Sequence, residues 1–229
     1  MGHSHELSKT EIAQGYDQIA LQIGMSDGFY AALLAFAGQV PPPILDVGCG
    51  GGHLIGFLLE RLRLPASVVH GVDISHRLCS LSREKTAAGV VQSDAEHLPF
   101  SDGQFRTAFM TEVLEHILAP QRAFEEIRRV LSSTGTWILT VPNRDWLRYH
   151  KYIQRKQRFQ PVDDRFYRLA EIEELARQTG LTITSTGGYG SLRHGGPVWG
   201  ALEQFAIRVH PALATKRKRL FVKLQKTSA

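Results

Sequence analysis

The stretch ILDVGCGGGHLIGFL, residues 44–58, constrains the fold of this chain more than any other. Ile44 to Val47 read as a short buried strand, and Pro41-Pro42-Pro43 before it end any preceding helix and deliver an extended backbone. Gly48, Gly50, Gly51 and Gly52 follow, and a helix is expected over His53 to Arg63. Glycines there let the backbone take positive φ and let a ligand approach the main chain. The helix N-terminus adds unpaired N–H donors. A strand, a glycine loop and a helix in this order belong in an open α/β sheet, with a ligand crevice beyond the carboxyl ends of the strands.

The pattern repeats. Strands are expected at Val68–Val72, Val90–Val91, Phe105–Met110 and Thr136–Val141, with helices from Ser75 towards Ala87 and over Ala119–Leu131. Such alternation means βαβ units and a parallel, doubly wound sheet covered on both faces. Ser8-Lys-Thr-Glu11 is a capping box that starts a helix near residue 9, carrying Ile12, Tyr16 and Ile19 at helical spacing. A second helix is expected over Gly28–Ala37. Beyond residue 143 the expectations are a basic helix over 144–159, a helix over Leu169–Thr179 stopped by Gly180, and a strand over Leu181–Thr186. Then come a glycine-rich loop over 187–196, a helix over Trp199–Val209, and a last strand at Leu220–Leu224 whose flanking Lys and Arg read as edge-strand charges.

With 229 residues and 43% hydrophobic content the chain can bury one core. We read residues 1–229 as a single domain, with a helical lid at 1–40 and an inserted basic lid helix at 144–168. Two cysteines, Cys49 and Cys79, exclude a disulfide framework and a four-cysteine zinc site. His97, His150, His194 and His210 have no metal-like spacing, so no metal is expected. The longest apolar run, Phe29–Ala37, is short for a membrane span. The first residues carry no apolar signal region, and Glu6 stands where myristoylation wants Ser or Thr. A cytoplasmic protein is the expectation. Charge is uneven: residues 1–143 carry 10 Lys/Arg and 15 Asp/Glu, residues 144–229 carry 17 and 7. The basic part suits an anionic ligand, an acidic lipid surface or a nucleic acid, or serves solubility alone.

The ligand of the glycine loop can be narrowed. No GxxxxGK[ST] is present, and the third glycine of a dinucleotide GxGxxG is replaced by His53. Asp46 sits two residues before the first glycine, where a carboxylate would repel a pyrophosphate and suit a cation. Asp73 closes the next strand, placed to accept both hydroxyls of a ribose. Asp94, after the third strand, is placed for an adenine amino group. A glycine loop with three acidic strand ends describes a nucleoside carrying positive charge.

ILDVGCGGG, GVDIS, SDAEHLPF, EVLEHI and EEIRRVLSSTGTWILTVPN together resemble the class I S-adenosylmethionine-dependent methyltransferases, in particular the small-molecule branch with the ubiquinone and menaquinone biosynthetic enzymes. The resemblance covers residues 10–143 well and 160–190 more weakly. It implies a Rossmann-like, mostly parallel seven-stranded sheet with an antiparallel last strand. It implies that Asp46, Gly48, Gly50 and Gly52 flank the methionine part of S-adenosylmethionine. Asp73 would hold the ribose, with Ile74 beside the adenine, and Asp94 and Ala95 would meet the adenine edge. Thr111, Glu112 and Val113 would line the floor near the sulfonium. Tyr16, in GYDQIA, would close over cofactor and substrate. Phe105-Arg106 and Ser133-Thr134-Gly135 depart from the family's Phe-Asp and Pro-Gly, at positions that look structural.

Plainer roles stand beside these. The glycines could serve tight packing, Asp46 or Asp73 could cap helices, Asp94 could be a turn residue, Cys49 a small filler, and Tyr16 part of the core. His116 is the candidate general base where the acceptor is a hydroxyl, or a packing residue behind the fourth strand. Arg144, Arg148, Lys151, Arg155 and Arg158 share one face of the expected basic helix, with Trp146, Tyr149 and Ile153 on another. Residues 144–158 could therefore lie on an anionic membrane, grip an anionic substrate or form a solvated outer face. Arg193 and His194 could complete a substrate pocket. The expected activity is methyl transfer to oxygen, carbon or nitrogen of a small molecule, lipophilic or anionic. The alternatives are an RNA methyltransferase, although the Asn/Asp-Pro-Pro-aromatic signature and a cysteine are missing after the fourth strand, and a non-catalytic cofactor-binding or interaction module.

Overall fold

The computed structural model describes residues 8–19, 24–146, 149, 165–192, 203 and 206–227. Helices α1 (Lys9–Ile19) and α2 (Asp27–Ala37) precede β1 (Ile44–Val47), α3 (His53–Leu62), β2 (Val69–Asp73), α4 (His76–Thr86) and β3 (Gly89–Gln92). They are followed by β4 (Phe105–Thr111), α5 (Pro120–Val130), β5 (Leu131–Pro142), α6 (Leu169–Gln178), β6 (Leu181–Tyr189) and β7 (Arg219–Lys226). The helix starts follow local chemistry. Glu11 accepts from the Ser8 amide at 2.8 Å, and the Ser26 and Ser75 hydroxyls accept from the amides of Phe29 and Leu78.

The strands form one sheet in the order β3-β2-β1-β4-β5-β7-β6. The pairs from β3 to β5 are parallel, and β7 runs antiparallel to both β5 and β6. The order reverses between β1 and β4, which opens the crevice that such sheets use for ligands.

Side chains alternate between two cores, as the period of a strand requires. Trp137, Leu139, Leu220 and Val222 join Phe124 and Ile127 of α5 and Ile172 of α6 on one face. Ile138 and Phe221 join Phe29 and Leu33 of α2 and Ile55 of α3 on the other. The seven-stranded, doubly wound α/β architecture with an antiparallel last strand is therefore present.

Three expectations are corrected. β7 is not an edge strand: it pairs with a neighbour on each side, and Lys223 reaches over the Phe36 ring to the Ala37 carbonyl at 2.8 Å. Its aliphatic stem packs while its ammonium is satisfied, so charge in the sequence does not mark an edge. β6 extends through Gly187, Gly188 and Tyr189, which the glycine content suggested was loop. Ladder pairing with β7 overrides the low strand propensity of glycine. β5 starts at Leu131, and a register shift between Phe105 and Thr107 marks the departure at Arg106 as an irregularity in the β4–β5 ladder.

Candidate active site

The glycine loop is held from behind. The amides of Gly48 and Cys49 both donate to the Val72 carbonyl, at 2.8 and 2.9 Å. Gly48 has φ of 74°, and a Cβ built on it would lie 2.2 Å from Cγ2 of Val113. The end of β1 thus passes so close to the segment after β4 that only hydrogen fits. Gly50 and Gly52 also have positive φ, 52° and 77°.

Two carboxylates sit behind this loop. Asp73 accepts from the Gly50 amide through one oxygen and from the Ser75 amide through the other, both at 2.9 Å. It therefore joins the loop to the start of α4, a capping role and a crevice position at once. Burial pushes its carboxyl above the usual range against those donors. Asp46 is only 2% exposed, and burial, with the charge of Asp73 added, pushes its carboxyl up to about 8. Two such groups side by side are expensive unless a cation shares the space.

Helix α1 crosses this region. Lys9 pairs with Asp94 and, at 2.6 Å, with Glu96, while Asp17 takes the Ser75 hydroxyl and, at 3.1 Å, the Arg77 amide. Asp94 also accepts from the Glu96 amide at 3.0 Å, the turn role weighed for it. Ile74 and Ala95 lie at the same carboxyl edge, after β2 and β3, and both are partly buried. Tyr16 stands edge-on to His116, ring centroids 6.0 Å apart, so the first helix reaches the candidate base.

At the end of β4, Thr111 follows the Val47–Met110 pair, and its hydroxyl is buried with no hydrogen-bond partner among the described residues. Glu112 has φ of 55°, rare for a side chain of this kind. Its carboxylate accepts from the Thr140 hydroxyl at 2.9 Å and from Arg219 Nε at 2.7 Å. His116 lies in a short 3₁₀ turn, Leu114–His116, with Nε2 3.9 Å from Glu115 Oε1.

Sequence reading missed Lys9, Asp17, Asn143 and Arg219. Asn143 is 1% exposed and donates to the carbonyls of Thr215 and Arg217, at 2.7 Å each. An asparagine directly after a strand was the available signal, but its partners are more than seventy positions away. Arg148, Lys151, Ile153, Arg155, Arg158, Arg193, His194 and Trp199 lie outside the described residues. Of the expected basic face, Arg144 turns to Glu171 at 3.6 Å, and Trp146 is buried, its Nε1 donating to the Ser191 carbonyl at 3.1 Å. No described helix is long and apolar enough to cross a membrane.

The residues present fit S-adenosylmethionine. Asp46 and Asp73 supply buried carboxyls whose ionised form a cationic nucleoside would favour, and Thr111 supplies an unused buried hydroxyl at the end of β4. The left-handed glycine backbone leaves room for close approach.

Residues 45–139 match the methyltransferase domain family. A malonyl-[acyl-carrier protein] O-methyltransferase of Geobacter sulfurreducens is 36% identical over 114 residues, 48% of this chain and 42% of that protein. A ubiquinone biosynthesis O-methyltransferase of Hydrogenovibrio crunogenus is 25% identical over 158 residues, 63% of this chain and 64% of its own length. The chain thus spans less than two thirds of either relative. Among solved structures, the CcbJ methyltransferase of Streptomyces caelestis superposes with a TM-score of 0.70 at 16% identity, covering 97% of this chain and 100% of that one. The domain match over residues 45–139 and the doubly wound sheet together support a resemblance to the class I S-adenosylmethionine-dependent methyltransferases, a family whose cofactor is S-adenosylmethionine.

Proposed function

We propose that this chain is a single-domain cytoplasmic enzyme that transfers a methyl group from S-adenosylmethionine to oxygen, carbon or nitrogen of a small-molecule acceptor, lipophilic or anionic. The observation that carries the reading is the pair of buried carboxylates, Asp46 and Asp73, behind a glycine loop at the switch point of the sheet. The names of the relatives, one acting on malonyl-[acyl-carrier protein] and one serving ubiquinone biosynthesis, favour a non-nucleic-acid acceptor. Two free, buried cysteines fit a reducing compartment.

When bound, the cofactor supplies an electrophilic methyl group on a sulfonium. In this reading Asp73 accepts from the ribose hydroxyls, Ile74 packs beside the adenine, and Asp94 and Ala95 meet its edge. Asp46 and the loop of Gly48, Gly50 and Gly52 hold the methionine part, over a floor of Thr111, Glu112 and Val113. The segments 1–40 and 144–168 act as lids, and Tyr16 of α1 closes the crevice and excludes water. Positioning and desolvation do most of the work, because charge disperses as a sulfonium is displaced. Where the acceptor is a hydroxyl, His116 takes its proton.

Calorimetry with S-adenosylmethionine and S-adenosylhomocysteine tests this. The intact chain binds both, and Asp73→Ala weakens binding by about tenfold to a hundredfold, the worth of hydrogen bonds to a charged acceptor. Failure of the intact chain to bind either, or undiminished affinity in Asp73→Ala, overturns the reading. Tritiated methyl groups from the cofactor should enter the small-molecule fraction of a cell extract. Label found in RNA instead would make nucleic acid the acceptor.

A further inference from the structure

A second cluster on the same edge of the sheet concerns the acceptor, and its interpretation rests on the methyltransferase reading. β7 runs antiparallel to its neighbours, so its first residue, Arg219, lies at their carboxyl ends, in register with Pro142 of β5 and Tyr189 of β6. It closes a run of four cations, Lys216-Arg217-Lys218-Arg219. Lys216 is taken by Asp145 at 3.2 Å, Arg217 by the Gly188 carbonyl at 3.3 Å, and Lys218 lies 5.8 Å over the Trp146 ring.

Arg219 differs. Its side chain is only 23% exposed, and Nε donates to Glu112 at 2.7 Å. Among the described residues its two terminal nitrogens have no hydrogen-bond partner. By strand alternation it shares a face with Phe221 and Lys223, which pack on Phe29 and on the end of α2. The guanidinium therefore stands on the α2 side of the sheet. Thr111 and its unpartnered hydroxyl precede Glu112 directly. Glu112 in turn spends a left-handed backbone, φ of 55°, to bring its carboxylate between Thr140 and Arg219. Strain at such a residue is kept where the surroundings enforce it, typically at functional sites.

An arginine anchored by Nε presents its remaining edge as a fixed fork for two oxygens of an oxyanion. Burial, with Arg219 adjacent, holds the Lys218 ammonium below the usual lysine range. We propose that Arg219 reads an oxyanion, carboxylate or phosphate, on the methyl acceptor, with Glu112 as the positioning residue that aims it. The lipophilic and the anionic descriptions of the acceptor then combine: an apolar body with one acidic group.

The test uses the full chain saturated with S-adenosylhomocysteine, and three probes of one shape: benzoate, phenyl phosphate and benzamide. Binding is followed by calorimetry. The intact chain should take one of the two anions at least about tenfold more tightly than the amide, and the better of the two identifies the oxyanion. Arg219→Gln should abolish the preference while S-adenosylhomocysteine affinity stays within about twofold. If Arg219→Gln does not fold, Arg219→Lys keeps the charge but not the fork, and should lose at least about threefold of the discrimination. Equal binding of all three probes by the intact chain, or discrimination retained in the folded variant, overturns the proposal. Loss of S-adenosylhomocysteine binding by the intact chain would instead overturn the methyltransferase reading and this inference with it.

Discussion

The two halves of the crevice are built by opposite rules. On the side of β1 to β3, the groups at the glycine loop are buried carboxyls, and Asp73 is tied to backbone amides: it takes Gly50 and Ser75. On the side of β5 to β7, the charged groups are mostly basic, and the polar side chains are tied to partners far along the chain: Arg219 meets Glu112, and the buried Asn143 gathers Thr215 and Arg217. The first half has its loop conformation set by glycine and packed closely against the segment after β4. The second is assembled from a strand that returns to lie between β5 and β6. In the proposed function, that division would separate the methyl donor from the acceptor.

If the first half is as rigid as the close approach of Gly48 to Val113 indicates, Gly48→Ala should be the most damaging change. A methyl 2.2 Å from Val113 Cγ2, on a backbone with φ of 74°, should cost about 3 kcal/mol, read as a fall in melting temperature. Adding Val113→Ala should restore the steric part and leave the backbone part. A Gly48→Ala chain of unchanged stability would break the comparison.

Asn143→Ala probes the other half. It removes two buried donors that fix the carbonyls of Thr215 and Arg217, and should cost about 2 kcal/mol. Amide hydrogen exchange over 215–219 should quicken while S-adenosylhomocysteine affinity is kept. A matching loss of cofactor affinity would show that the halves are not independent.

Asp46→Asn sharpens the electrostatic side, where the readout is the pH dependence of stability. The folded carboxyl titrates near about 8 and the unfolded one near 3.8, so between these values the folded chain holds a proton that the unfolded chain has released. Unfolding then releases a proton, and stability falls as pH rises through that window. The asparagine variant should flatten this slope in a series of melting curves, and should melt a few degrees higher than the intact chain at pH 8 than at pH 5, relative to it. A slope that persists unchanged assigns the titration to another group.

Much of the first half was legible in the sequence because its causes are local. The glycine loop between strand and helix, Ser75 as a cap, and the acidic residues at successive strand ends are each marked by their immediate sequence neighbours. Gly187 to Tyr189 and the basic ends of β7 misled for the converse reason: composition suggested loop and edge, while pairing with distant strands made them ladder and interior. Lys9 gave no signal of its own, since its partners, Asp94 and Glu96, are brought to it only when α1 crosses the crevice.

By itself the sequence determined the alternation of strands and helices, the glycine backbone and the acidic strand ends, because hydrophobic period, backbone sterics and helix capping are short-range forces. Only the tertiary structure decided that β7 runs between β5 and β6, that Glu112 turns from the crevice floor to Arg219, and that Asn143 staples the basic segment. Those outcomes depend on which distant groups satisfy one another's hydrogen bonds once water is excluded, and no local pattern encodes that choice.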